Sequence, residues 1–246
     1  MKNFTLLDLL FTALVVAALA LVAPLAAEQA AENAKLAACA DKLRAIGVAE
    51  HAYAADNKSE LAMNERGFIQ KGGTVRCATF SKDTPPMLLI RGGYLKNPDK
   101  PKATIAETRE HFFRCPEDSV NFVAQPVTGW RAPHPVISYM YCWFGTVDGL
   151  KSYSYPHKTK PNQPDNYGLR SNIDRDDPGW YIFADLIRST SRNMAGRKES
   201  GKANHPGMLN ALYLGGHVKT HAVTEAQEKH VATAGNRFTL FFDDVD

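Results

Sequence analysis

Between Phe4 and Ala27 the sequence reads FTLLDLLFTALVVAALALVAPLAA, and Asp8 is its one ionisable side chain. At about 1.5 Å per residue a helix of this length spans about 36 Å, enough to cross a hydrocarbon core of about 30 Å. No later stretch is comparably apolar. A polytopic membrane protein and a plain cytosolic enzyme are both excluded. A carboxylate inside such a run costs on the order of 2.5–3.5 kcal/mol on insertion scales, so Asp8 needs a physical reason. A secretory signal peptide accounts for Lys2, the apolar stretch and the small residues Ala26 and Ala27, but not for the acid. A plain membrane anchor accounts for the length and again not for the acid.

The rest of the chain is ordinary globular material. Of 246 residues, 44% are hydrophobic and 22% charged, which allows one large or two modest domains with a real core. Lys and Arg number 29 against 26 Asp and Glu, a net charge of +3. That is too small to argue for nucleic acid, and none is expected as a partner.

The helical signal continues past the apolar run. Residues 28–57 are rich in Ala, Glu, Lys and Leu, all strong helix formers. Leu36, Cys39, Leu43, Ile46 and Tyr53 recur at helical spacing and form an apolar stripe. Glu32, Lys35, Asp41, Lys42 and Arg44 fall on the opposite face. Asp56-Asn57 is a plausible stop. Gly47, in the helix interior, would permit a close approach.

The N-terminus resembles type IV pilins and type II secretion pseudopilins. These begin with a short basic leader, then Phe-Thr-Leu-Ile-Glu-Leu-Leu, then an apolar helix. This chain has Phe4-Thr5-Leu6-Leu7-Asp8-Leu9-Leu10. The resemblance implies cleavage between Asn3 and Phe4 by a prepilin peptidase, with methylation of the new amine of Phe4. Asn3 stands where the family usually has Gly, and Asp8 where it has Glu. In the family this carboxylate pairs with the N-terminal amine of a neighbouring subunit, which would give Asp8 its partner cation. Pro24 lies near the position of the family's helix-kinking proline, where the ring removes one backbone bond. Cys39 to Ala49, followed by Tyr53-Ala54-Ala55-Asp56-Asn57, is also similar to one branch of that family.

A second resemblance lies near the C-terminus. His205 is followed by nine residues and then Gly215-Gly216-His217-Val218. This resembles the prepilin-type processing-associated H-X9-DG proteins, with Gly215 in place of the Asp. Phe183-Ala184-Asp185 resembles the stretch that precedes that motif.

The expected architecture is α+β and pilin-like, a long N-terminal helix packed on an antiparallel sheet with long loops. The expected organisation is leader 1–3, membrane and filament-core helix 4–27, amphipathic continuation 28–57 and β-rich head 58–246. In the head, VISYMYCWF at 136–144 and WYIFAD at 180–185 read as strands. Residues 208–223 read as a hairpin with positive φ at both Gly215 and Gly216. Residues 111–116 (HFFRCP) read as a strand ended by proline, residues 85–90 as a helical turn, Thr224 as the cap of a helix through Ala234, and FTLFF at 238–242 as a last strand.

Chemistry has little to stand on. There is no G-x-S-x-G, no phosphate loop and no H-E-x-x-H, so the expectation is no enzyme and no cofactor. His205, His217 and His221 lie near the hairpin, and His217 and His221 would share a strand face. A zinc-dependent hydrolase built on them is the rival reading, although the expected outcome is no metal. Cys39, Cys77, Cys115 and Cys142 contain no C-x-x-C pair. Outside the inner membrane disulfides are allowed, and four cysteines permit three connectivities that sequence cannot rank. Buried thiols are the alternative.

The resemblance therefore implies a structural subunit of a pilus-like or secretion-pseudopilus-like filament. Its partners would be like or related pilin subunits, a prepilin peptidase and an inner-membrane assembly platform. The subunit would sit in the inner membrane with its head in the periplasm and then enter a filament. The alternative is a membrane-anchored or secreted periplasmic binding protein.

Overall fold

A long run of good helix formers with a single internal proline favours one helix, and the computed structural model has it. α1 spans Leu6–Asp56, 51 residues with Pro24 inside. The structure describes residues 6–62, 74–79, 84–119, 122–127, 134–144, 168–186 and 203–227. Asn3, Phe4, the Asp8 side chain, the rest of the helix expected from Thr224 and the strand expected at 238–242 lie outside the described features.

The chain divides into two compact units, Met1–Ala37 and Ala38–Asp246. In the first, the large apolar side chains from Leu6 to Leu25 are exposed, Leu6, Leu7 and Leu21 by about three quarters of their surface. This helix is long and apolar enough to cross a membrane.

The second unit begins with the rest of α1. Cys39, Leu43 and Ile46 are fully buried there, and Tyr53 is half-buried. The apolar stripe is thus the packed face. Glu32, Lys35, Asp41 and Arg44 are exposed. Lys42 departs from the expected polar face. It is half-buried, and its Nζ donates to the Arg114 carbonyl at 2.6 Å, because its stem can lie along apolar surface while the ammonium finds an acceptor. The helix ends at Asp56. Asn57 Nδ2 donates to the Tyr53 carbonyl and the Ser59 N–H to that of Ala54, which satisfies carbonyls of the last turn. A Cβ on Gly47 would lie 2.8 Å from Leu212 Cδ1, so this glycine does admit a close approach.

The sheet is six-stranded. Its strands are β1 (Thr74–Thr79), β2 (Val123–Val127), β3 (His134–Phe144), β4 (Tyr181–Asp185), β5 (Met208–Tyr213) and β6 (Val218–Ala222), joined in the order β1-β3-β4-β5-β6 with β2 also on β3. Every pairing is antiparallel. Two short helices, α2 (Pro85–Arg91) and α3 (Ile105–Phe113), precede β2. The architecture is α+β, a long N-terminal helix with an antiparallel sheet. Tyr139, Tyr141, Trp180, Tyr181, Phe183 and Tyr213 are buried almost completely, with Leu43 of α1 and Phe113 of α3 in the same core.

Two local expectations are overturned. Residues 111–113 close α3 and are not a strand. Thr104 and Glu107 form a capping box, each side chain bonding the other's backbone N–H. This start signal, Thr-x-x-Glu, commits the nine-residue segment to helix. The hairpin between β5 and β6 has positive φ at Gly216, +83°, and not at Gly215. The Gly216 N–H donates to the Tyr213 carbonyl and the Tyr213 N–H to that of His217. That is a four-residue turn, Tyr213 to Gly216, whose last residue is the left-handed bulge residue, for which one positive φ suffices.

Both glycines are needed, for different reasons. A Cβ at Gly215 would lie 2.9 Å from Pro178 Cβ, and the Gly215 N–H donates to the Pro178 carbonyl. The aspartate of the resembling motif would therefore crowd Pro178. At Gly216 the left-handed backbone disfavours any side chain, and a Cβ would lie 3.2 Å from His51 Nε2. Gly216→Ala is expected to destabilise the chain by about 1–2 kcal/mol, read as a lower denaturant midpoint. An unchanged midpoint would contradict the strained position.

Candidate functional site

Four chain segments that are far apart in sequence meet at one buried point. α1 supplies Cys39 on its packed face. Cys115 follows the end of α3, and Pro116 comes directly after it. Asp185 is the last residue of β4, and His205 lies three residues before β5. Their ligand-type atoms all lie within 4.8 Å of one another, and all four residues are buried.

Cys39 and Cys115 form a disulfide with their Cα atoms 5.5 Å apart. The bridge ties α1 to the segment after α3, not to a strand. Cys142 is buried in β3, where the register sets Arg76 opposite it and Tyr141 opposite Cys77. His205 Nε2 lies 3.2 Å from Cys115 Sγ and 3.9 Å from Asp185 Oδ2. One imidazole nitrogen therefore faces both the sulfur and the carboxylate.

The local structure explains why these groups stay there. Asn204 ties the segment before β5 to the sheet, its N–H donating to the Leu186 carbonyl at 2.9 Å and its Nδ2 to the Ser138 carbonyl at 2.6 Å. Gly207 then turns the chain with φ +73°. Asp185 Oδ2 accepts the Asn210 N–H at 2.8 Å, a contact set by the register of Ala184 opposite Ala211. Asp185 Oδ1 is buried with no hydrogen-bond partner among the described residues. Burial pushes the Asp185 carboxyl up to about 7, against the pull of the Asn210 N–H and of the Asn210 and Asn204 side chains, with the nearby Asp118 adding to the rise. Burial, and then the nearby Asp185 and Asp118, push the Tyr139 phenol well above its usual value.

A second buried acid sits one helical stretch further along α1. Glu50 is fully buried; its Oε2 accepts the Ala62 N–H at 2.9 Å, and its Oε1 has no partner among the described residues. Desolvation raises its carboxyl to about 8.

The histidines do not converge as the rival reading requires. His217 stacks on Tyr213 with ring centroids 4.6 Å apart, and His221 Nε2 lies 2.6 Å from the Tyr213 hydroxyl. They do share a face, and Tyr213 occupies it. Among the described residues the one group of three or more metal-type side chains is the Cys39–Cys115–Asp185–His205 cluster, and it contains neither of them. A hydrolase centre on His205, His217 and His221 is therefore not formed.

Sequence reasoning named Cys39, Cys115 and His205 as separate candidates and did not bring them together. Glu50 was missed altogether. The available signal was a charged residue between Ala49 and His51, beside the apolar stripe of α1. Compared with known proteins, the chain matches no family model, no curated protein and no solved structure.

Proposed function

We propose that the chain is a structural subunit of a filament of the type IV pilus or type II secretion pseudopilus kind, built by helix assembly and not by catalysis. One observation carries this reading. A single helix, Leu6–Asp56, exposes a continuous apolar surface through Leu25 and buries a narrow stripe from Cys39 onward. The first surface needs lipid or other helices around it, while the second already has its partner in the head. Asp8 lies in the apolar part, where a carboxylate persists only if a cation meets it. The methylated amine of Phe4 on a neighbouring subunit is that cation in this reading. The subunit waits in the inner membrane with its head in the periplasm, is cut by a prepilin peptidase after Asn3, and is added to the filament by an assembly platform.

Asp8→Ala is expected to abolish filaments while the purified chain keeps the near-ultraviolet circular dichroism of a packed head. Filaments in normal number from this variant would overturn the proposal. The mass of the mature N-terminus separates it from the anchored or secreted binding protein. A methylated Phe4 supports the filament subunit, and a start near Glu28 supports the alternative.

A further inference from the structure

The Cys39–Cys115 disulfide is an unusual neighbour for a buried carboxylate and an imidazole. A structural bridge needs neither. Two sulfurs, one imidazole nitrogen and one carboxylate oxygen form a donor set that suits zinc over the hard cations, which prefer all-oxygen sites. In a tetrahedral zinc site, bond lengths of about 2.0–2.3 Å place neighbouring donors about 3.3–3.8 Å apart. Here His205 Nε2 is 3.2 Å from Cys115 Sγ and 3.9 Å from Asp185 Oδ2. The four donors all lie within 4.8 Å of one another, and closing them around a metal would require the two sulfurs, now bonded, to separate. Asp185 Oδ1 gives an independent indication, being buried without a hydrogen-bond partner among the described residues. The Asn210 N–H on Oδ2 holds the carboxylate in place as an outer partner does in metal sites.

We propose that the reduced chain is a zinc-binding protein in which Cys39, Cys115, Asp185 and His205 close around one Zn²⁺, and that the disulfide and the metal are mutually exclusive states of the same site. A dithiol reductant breaks the S–S bond. It supplies two electrons and two protons, leaves two cysteine thiols and departs as its own disulfide. Zinc then displaces the two thiol protons to solvent and binds the thiolates. Oxidation reverses this, since a sulfur pair committed to one another cannot both donate to the metal. The head thus has a cross-link in either state, covalent when oxidised and metal-borne when reduced. This inference does not depend on filament assembly.

The test uses the full chain in detergent. One sample stays oxidised and the other is reduced with dithiol, with thiol titration to confirm that the bond has opened. Both are freed of small molecules without oxygen, incubated with Zn²⁺ alone, desalted and assayed for metal. The expected result is one zinc per reduced chain and none per oxidised chain. Co²⁺ in the reduced chain should give a thiolate-to-metal charge-transfer band. Asp185→Asn, close in shape to the native residue, and His205→Ala should each weaken zinc binding at least about tenfold, the scale that even outer partners of a metal site reach. A reduced chain without zinc, equal zinc in both samples, a bond that no dithiol opens, or unchanged affinity in both variants would each overturn the assignment.

Discussion

A chain with both Cys39 and Cys115 replaced by alanine is expected to lose about 4 kcal/mol of stability. The bridge joins residues 76 apart in sequence. On the chain-entropy account, a 15-residue loop contributes about 3 kcal/mol and a 100-residue loop about 4.7. Alanine is the better replacement because both sulfurs are fully buried, and a serine hydroxyl there would add a desolvation cost of its own. For a unit of this size about 2–4 °C of melting temperature accompanies each kcal/mol, so the midpoint should fall by about 10 °C. Dithiol should bring the wild type to the same midpoint and leave the variant unmoved. Zinc should then restore part of the loss in the reduced wild type, about 2.7 kcal/mol at a hundredfold excess over the dissociation constant, and none in the double variant. A variant within about 1 kcal/mol of the wild type would show that the unfolded chain is not restrained by this bond.

Some of this was legible in the sequence because local signals are short-ranged. The apolar stripe through Cys39, Leu43 and Ile46 set the packed face of α1, since helical periodicity acts over a few residues. The strands at 136–144 and 180–185 announced themselves by β-branched and aromatic content. Residues 111–113 went the other way. Two adjacent phenylalanines suit a strand, but Thr104 and Glu107, upstream at the start of α3, had already committed the segment to helix. The site was only half legible. Cys39, Asp185 and His205 each lay in stretches that drew notice for other reasons. What joined them was the packing of α1, the end of α3, β4 and the approach to β5. No pattern within one segment encodes that meeting, and four cysteines by themselves allow three pairings. Gly215 shows the same limit. Its turn is local, but the neighbour that excludes a side chain, Pro178, comes from another part of the chain.

The pH dependence of stability should run opposite to that of a chain held by paired carboxylates, and Glu50 is the main cause. Its carboxyl titrates near 8 in the folded chain against about 4.5 when exposed, because burial penalises the charged form more than the Ala62 N–H favours it. The folded state therefore holds a proton that the unfolded state has lost. The contribution is fully present below about pH 4.5, declines as pH rises, and is gone above about pH 8. At about 1.4 kcal/mol per pKa unit the whole span is on the order of 5 kcal/mol. Asp185, raised to about 7, adds a slope of the same sign over a lower and narrower window. Glu50→Gln isolates the effect, since the amide oxygen can still accept the Ala62 N–H and the side chain carries no charge at any pH. The variant should match the wild type at pH 5 and exceed it at pH 9 by a few kcal/mol, read from urea midpoints at both values. Equal pH slopes in the two proteins would mean that Glu50 reaches solvent or a cation when it ionises. A variant that is less stable at both pH values would mean instead that the amide cannot take the place of Oε1, which lies buried and unpartnered among the described residues.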